Sequence, residues 1–113
     1  MKRILIVDDE ADIRDTLGDF FVDEGFAVAT AQNGAQALEQ LQGGELPSVI
    51  ILDLLMPALS GAELYEKMQE DPRLATLPVI VTTSDPGRAP AGLLIMKKPI
   101  NLERLLGVVK QYL

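Results

Sequence analysis

The chain has no cysteine and no histidine. The first absence excludes disulfides, thiolate metal sites and thiol nucleophiles. The second removes Ser-His and Cys-His catalysis, imidazole metal sites and any phosphohistidine carried by the chain itself. Basic charge is scarce: ten Lys and Arg stand against seventeen Asp and Glu, a net charge of −7. With only three Phe and two Tyr as well, little is left for a nucleic-acid surface, which needs cations for phosphates and rings for bases. No apolar run approaches the roughly 18 residues of a membrane span, and the N-terminus lacks a signal-peptide pattern. The expectation is a cytoplasmic protein with no membrane partner and no direct nucleic-acid partner.

What is present suffices for one domain over residues 1–113. An apolar fraction of 48% supports a core and argues against disorder. Residues 48–52 (SVIIL) form an apolar run without polar alternation, the pattern of a strand buried on both faces. The run stops at a carboxylate, Asp53, which is costly at the end of a buried strand unless it has a partner or a task. Four further strands are read at 2–7 (KRILIV), 26–31 (FAVATA, alternating and near a sheet edge), 78–83 (PVIVTT) and 93–97 (LLIMK). Between them, helical spacing covers 11–24, with Ile13, Leu17, Phe20, Phe21 and Glu24 in phase and Gly25 closing the segment. A modest helix over 35–41 follows Asn33-Gly34 and packs through Leu38 and Leu41. A third spans 61–70 with Leu64, Tyr65 and Met68 inward, ended by Asp71-Pro72. Asn101 caps a last helix whose stripe runs through Leu102, Leu105, Leu106, Val109 and Leu113.

Strands alternating with helices predict βαβ units and a parallel sheet. One connection is irregular. Residues 84–92, SDPGRAPAG, link two strands that should run parallel, yet a crossover with its helix needs roughly 10–12 residues. Nine residues with two Pro and two Gly hold one helical turn at best, so this crossover is expected to be mostly loop.

In such sheets ligands sit outside the carboxyl ends of the strands. That edge should collect Asp8 and Asp9 from the first strand, Asp53 from the third, Thr83 from the fourth and Lys98 after the fifth. Crowded carboxylates repel unless a cation sits among them. Hard oxygen ligands suit Mg²⁺, which binds through one or two carboxylates plus phosphate oxygens. A carboxylate beside a metal, a lysine and a hydroxyl suits a phosphoryl group, with the carboxylate as nucleophile. Singly each residue has a plainer reading: a helix start for Asp8-Asp9-Glu10, a turn for Asp53, strand for Thr83 (with Thr82 competing) and surface for Lys98. Their common position at the strand ends is what speaks for a site.

At this point the sequence resembles the receiver domains of bacterial two-component response regulators. The likeness covers nearly the whole chain. It rests on VDDE at 7–10, the D-x-x-M-P-x-x-x-G run from Asp53 to Gly61, PVIVTTS from Pro78, and KKP at 97–99. The resemblance implies an α/β, doubly wound, flavodoxin-like five-stranded parallel sheet of order 2-1-3-4-5, with the fourth helix shortened or replaced by a loop. It implies Asp53 as phosphoacceptor. Asp8, Asp9 and Asp53, with the backbone carbonyl of Leu55, would hold Mg²⁺, with Mn²⁺ as a substitute, and Asp9 is the favoured direct ligand beside Asp8. Thr83 and Lys98 are implied as phosphoryl-binding switch residues. The donor is a histidine kinase or a histidine phosphotransfer protein, and the chain is not a turnover enzyme on external substrates.

Four positions depart from the family pattern. The segment after Thr83 is short by about two helical turns. Ile95 stands where Tyr or Phe is usual, Ser84 where Ala or Gly is common, and Leu55 where a polar residue is more frequent. These place the departures on the readout side and lead to a second expectation: the 84–97 region docks a second copy or an effector protein, through apolar sheet left bare by the missing helix, the alternative being that the loop folds down and covers it. A haloacid-dehalogenase-like phosphohydrolase would need D-x-D-x-T; Leu54 and Leu55 follow Asp53 instead.

Overall fold

The computed structural model describes residues 2–44, 46–56, 59–89 and 92–113. Pro57 of the motif after Asp53, and Pro90 and Ala91 of the irregular crossover, lie outside them. Five strands, β1 (Arg3–Val7), β2 (Ala27–Ala31), β3 (Val49–Asp53), β4 (Val79–Thr83) and β5 (Leu94–Lys97), form one parallel sheet in the order β2-β1-β3-β4-β5. Helices α1 (Ala11–Asp23), α2 (Gly34–Gly43), α3 (Gly61–Gln69), α4 (Pro72–Ala75) and α5 (Leu102–Gln111) connect or follow them. This is the expected doubly wound fold, with β2 at an edge.

Each sheet face carries its own core, and strand alternation divides the residues between them. Leu5, Val7, Ile50, Leu52, Val79 and Val81 face α2, α3 and α4. Ile4, Ile6, Val49, Ile51, Ile80 and Met96 face α1 and α5. β1, β3 and β4 each carry an uninterrupted apolar run (4–7, 49–52 and 79–81) because both faces are covered. Phe21 of α1 is fully buried, with Phe20 and Phe26 edge-on at centroid distances of 5.3 and 5.7 Å. Gly25 closes α1 at φ 95°, a left-handed conformation in which a side chain is strained.

The caps follow the sequence. Asn33 accepts from Gln36 N and Asn101 from Arg104 N, and Ser60 with Glu63 forms a capping box on α3. Asp71-Pro72 does end α3, but the chain makes one further turn, α4, which the sequence reading left out. Pro72 sits at its first position, where a missing N–H costs nothing, and Asp71 caps it through Arg73 N. Leu113 lies beyond α5 and is exposed, so the apolar stripe of that helix stops at Val109.

The crossover from β4 to β5 is, among its described residues, a 3₁₀ turn at Pro86–Arg88 rather than a helix. It does not leave the sheet bare. All five β4 residues are buried. Ala89, Leu93 and Ile95 pack against the core on the α3 side. Of the apolar residues in β5 only Leu94 is exposed. The uncovered apolar patch expected there is therefore absent among the described residues. Nor is any described helix long and apolar enough to cross a membrane.

Candidate functional site

Ladder hydrogen bonds carry the site residues to one edge of the sheet. Asp8 N donates to Ala31 O at 3.1 Å, Leu54 N to Thr82 O at 3.1 Å, and Lys98 N to Thr83 O at 2.9 Å. Alternation puts Asp8 in phase with Ile4 and Ile6, Asp53 with Ile51, and Lys98 with Met96, so all three belong to the α1/α5 face. Their side chains meet. Lys98 Nζ lies 3.1 Å from Asp8 Oδ2 and 3.5 Å from Asp53 Oδ1, with Glu10 Oε1 farther off at 3.9 Å.

Asp8 and Asp53 are both buried. Burial, and then the neighbouring Asp8 charge, push the Asp53 carboxyl up to about 7, although the Lys98 ammonium pulls the other way. Lys98 shows the converse balance. Burial disfavours its charge, but the Asp8 hydrogen bond and the Asp53, Asp8 and Glu10 carboxylates outweigh it and hold the ammonium above its ordinary value. One lysine thus serves two buried carboxylates, and the site stays short of positive charge.

Asp8, Asp9 and Glu10 can each bring one carboxylate oxygen within 4.8 Å of the others. Asp9 adds to the upward push on the Asp53 carboxyl. Two contacts the sequence reading missed shape this turn. Asp8 Oδ1 accepts from Glu10 N at 2.9 Å, and Arg14 reaches back from α1 to donate to Asp8 O at 2.7 Å. The signals were there: Glu10 belongs to the VDDE run, and Arg14 lies one helical turn beyond it.

The remaining expected residues stand close by without joining the cluster. Thr83 is buried, and its hydroxyl accepts from Asp85 N at 3.0 Å. By alternation it belongs to the α3 side of β4. Thr82, in register with Asp53, belongs to the Asp53 side. Ser84 follows as an exposed loop residue, Leu55 exposes 43% of its surface beside the buried Asp53, and Ile95 is half-buried opposite Val81.

The two ends of the segment from Asp53 to α3 meet closely. Gly61 N donates to Leu54 O at 2.9 Å, and a Cβ built at Gly61 would lie 2.8 Å from Leu54 Cα and overlap the Asp53 carbonyl. Only glycine fits so close an approach. The peptide between Lys98 and Pro99 is cis.

Residues 4–110 match the family described as "Response regulator receiver domain". A curated relative, response regulator Rre1 of Synechocystis sp., is 38% identical over 72% of this chain and 35% of its own. A response regulator receiver protein of Anaeromyxobacter sp. is 33% identical over 94% of this chain and 46% of its own. The chain thus spans about half or less of these two relatives. Among solved structures, TrrA of Thermotoga maritima, in complex with Mg²⁺ and BeF, superposes with a TM-score of 0.87 at 31% identity, covering 100% of both chains. Chemotaxis protein CheY4 of Vibrio cholerae gives 0.88 at 30% identity over 100% of this chain and 99% of its own. With its 2-1-3-4-5 parallel sheet and its carboxylate-lysine edge, the chain belongs to the response regulator receiver domain family of two-component systems.

Proposed function

We propose that this chain is a phosphoryl-accepting switch in which Asp53 takes a phosphoryl group from a partner phosphohistidine, with Mg²⁺ as cofactor. The observation that supports it most is the Lys98 ammonium shared between two buried carboxylates, 3.1 Å from Asp8 and 3.5 Å from Asp53. A carboxyl pushed up to about 7 by burial and by Asp8, in spite of Lys98, has less cationic charge beside it than it needs to stay ionised. The hard oxygens of Asp8, Asp9 and Asp53, with the Leu55 carbonyl, suit Mg²⁺, and Mn²⁺ as its substitute. When bound, the metal supplies positive charge that keeps Asp53 ionised and offsets charge on the transferring oxygens.

In the transfer, one Asp53 carboxylate oxygen forms a bond to phosphorus as the phosphorus–nitrogen bond of the phosphohistidine breaks. The electron pair returns to the imidazole nitrogen, which takes up a proton. Lys98 is already within reach of Asp53 and stabilises the charge that arrives there. The Thr83 hydroxyl retains its own proton to donate to a phosphoryl oxygen, and through Asp85 N that hydroxyl is tied to the 3₁₀ turn. Movement of Thr83 then reorders the 84–97 region, the surface a second copy or an effector would sense. Hydrolysis of the phosphoaspartate by water returns the carboxylate and inorganic phosphate and resets the switch. The donor is a histidine kinase or a histidine phosphotransfer protein, and the setting is the cytoplasm.

The experiment is direct. Incubation with Mg²⁺ and acetyl phosphate should add one phosphoryl mass to the intact chain, and Asp53→Asn should take up none. Equal labelling of the two would overturn the assignment of Asp53.

A further inference from the structure

The loop that follows Asp53 does not rest on α3 alone. Gly34, the first residue of α2, donates its N–H to Leu59 O at 2.9 Å. Gly34 is buried. A Cβ built there would lie 2.9 Å from the Leu59 carbonyl carbon and 3.0 Å from Leu59 Cβ, and would overlap the Leu59 oxygen itself. Ordinary C···O contacts settle near 3.3–3.6 Å, so any side chain at 34 forces about 1 Å of movement in the loop or the helix. The neighbouring donor is accounted for separately: Asn33 Oδ1 takes Gln36 N at 2.8 Å. The Gly34 N–H is therefore one of the helix's unpaired first-turn donors, satisfied by the loop.

We infer that Gly34 is a positioning residue for the phosphorylation site: α2 clamps the far end of the loop through Leu59, while Gly61 clamps its near end at Leu54. The inference rests on the reading that Asp53 takes a phosphoryl group with Mg²⁺. The chain between the two clamps carries Leu55, whose carbonyl is one of the proposed ligands. A glycine at the first turn of a helix is otherwise a poor choice. Alanine has the better helix propensity, and Gly34 does not adopt the positive φ that would require glycine. Close approach to Leu59 is what glycine provides there.

The test is Mg²⁺ binding by calorimetry at pH 8, with thermal unfolding in parallel, on wild type, Gly34→Ala and Gly43→Ala. A Cβ at Gly43, in the last turn of the same helix, meets nothing within 4 Å. Gly34→Ala should bind Mg²⁺ roughly tenfold more weakly, the scale for groups that orient a ligand, while Gly43→Ala should bind as wild type does. Gly34→Ala matching wild type, or Gly43→Ala weakened equally, overturns the clamp. A wild type that takes up no Mg²⁺ defeats the parent reading and the clamp with it. Should Gly34→Ala not fold, amide resonances of the wild type decide. Mg²⁺ should shift the Gly34 amide and leave Gly43 in place, and an unmoved Gly34 amide overturns the proposal.

Discussion

The Lys98 ammonium stands 3.5 Å from the Asp53 carboxylate while making its shorter contact, 3.1 Å, to Asp8. Lys98 is thus committed first to the residue that does no covalent chemistry in the proposed transfer. Asp53 is left partly uncompensated, and its carboxyl is pushed up to about 7.

The first prediction concerns pH. An unfolded Asp53 would release its proton near the ordinary 3.8, whereas the folded chain holds it until about 7. Between these values the folded state binds more protons than the unfolded one, so the contribution of Asp53 to stability is present at low pH and lost as pH rises through 7. Without divalent metal, Asp53→Asn should melt above wild type at pH 8 and lose that advantage toward pH 4. Circular dichroism melts across the range check it; a constant difference would contradict the pH dependence.

Removing the cation should do the opposite. Lys98→Met leaves Asp8 and Asp53 buried without their ammonium, and breaking such a pair costs about 3 kcal/mol. The loss should be largest at pH 8, and millimolar Mg²⁺ should restore part of it. Urea unfolding with and without Mg²⁺ measures both.

Thr82 and Thr83 can be separated. Thr83→Val removes the acceptor for Asp85 N and should leave phosphorylation of Asp53 by acetyl phosphate intact while abolishing phosphorylation-dependent amide shifts over 84–89. Thr82→Val should keep those shifts. If Thr82 proves to be the one required, the switch hydroxyl is misassigned.

Away from the site, Phe21→Ala should cost about 3–5 kcal/mol, as full truncation of a buried aromatic does. Phe20 and Phe26 each lose an edge-on partner with it. Denaturant unfolding at low temperature, where the variant stays folded, gives the value.

Most of the architecture was legible in the sequence because burial on both faces leaves a strong mark. The uninterrupted run of β3 marked a strand buried on both faces and the alternation of β2 an edge, while the full strand order came from the resemblance, since β5 at the other edge is as apolar as the central strands. Asp8, Asp53 and Lys98 were found because each stands where such a run ends. What escaped was either too short to leave a pattern or set by tertiary contact. α4 is one turn long, too brief for any periodicity. The Arg14 bond to the Asp8 carbonyl needs the guanidinium that the sequence shows, but it also needs the turn before α1 to bring that carbonyl within reach. Gly34 read as half of an Asn-Gly turn, since nothing local to it announces Leu59, twenty-five positions on. Counting residues in the crossover left a bare patch beside β4 and a loop folded over it equally open, and only the packing of Ala89, Leu93 and Ile95 onto the core decides for the second.

The two outer strands set a limit on how this molecule meets others. β2 is half-buried with Thr30 exposed, and β5 offers only four residues ending on the exposed Lys97. Short, polar or lysine-bearing edges discourage the addition of another strand. Extension of the five-stranded sheet by a strand from another chain is therefore disfavoured at both edges.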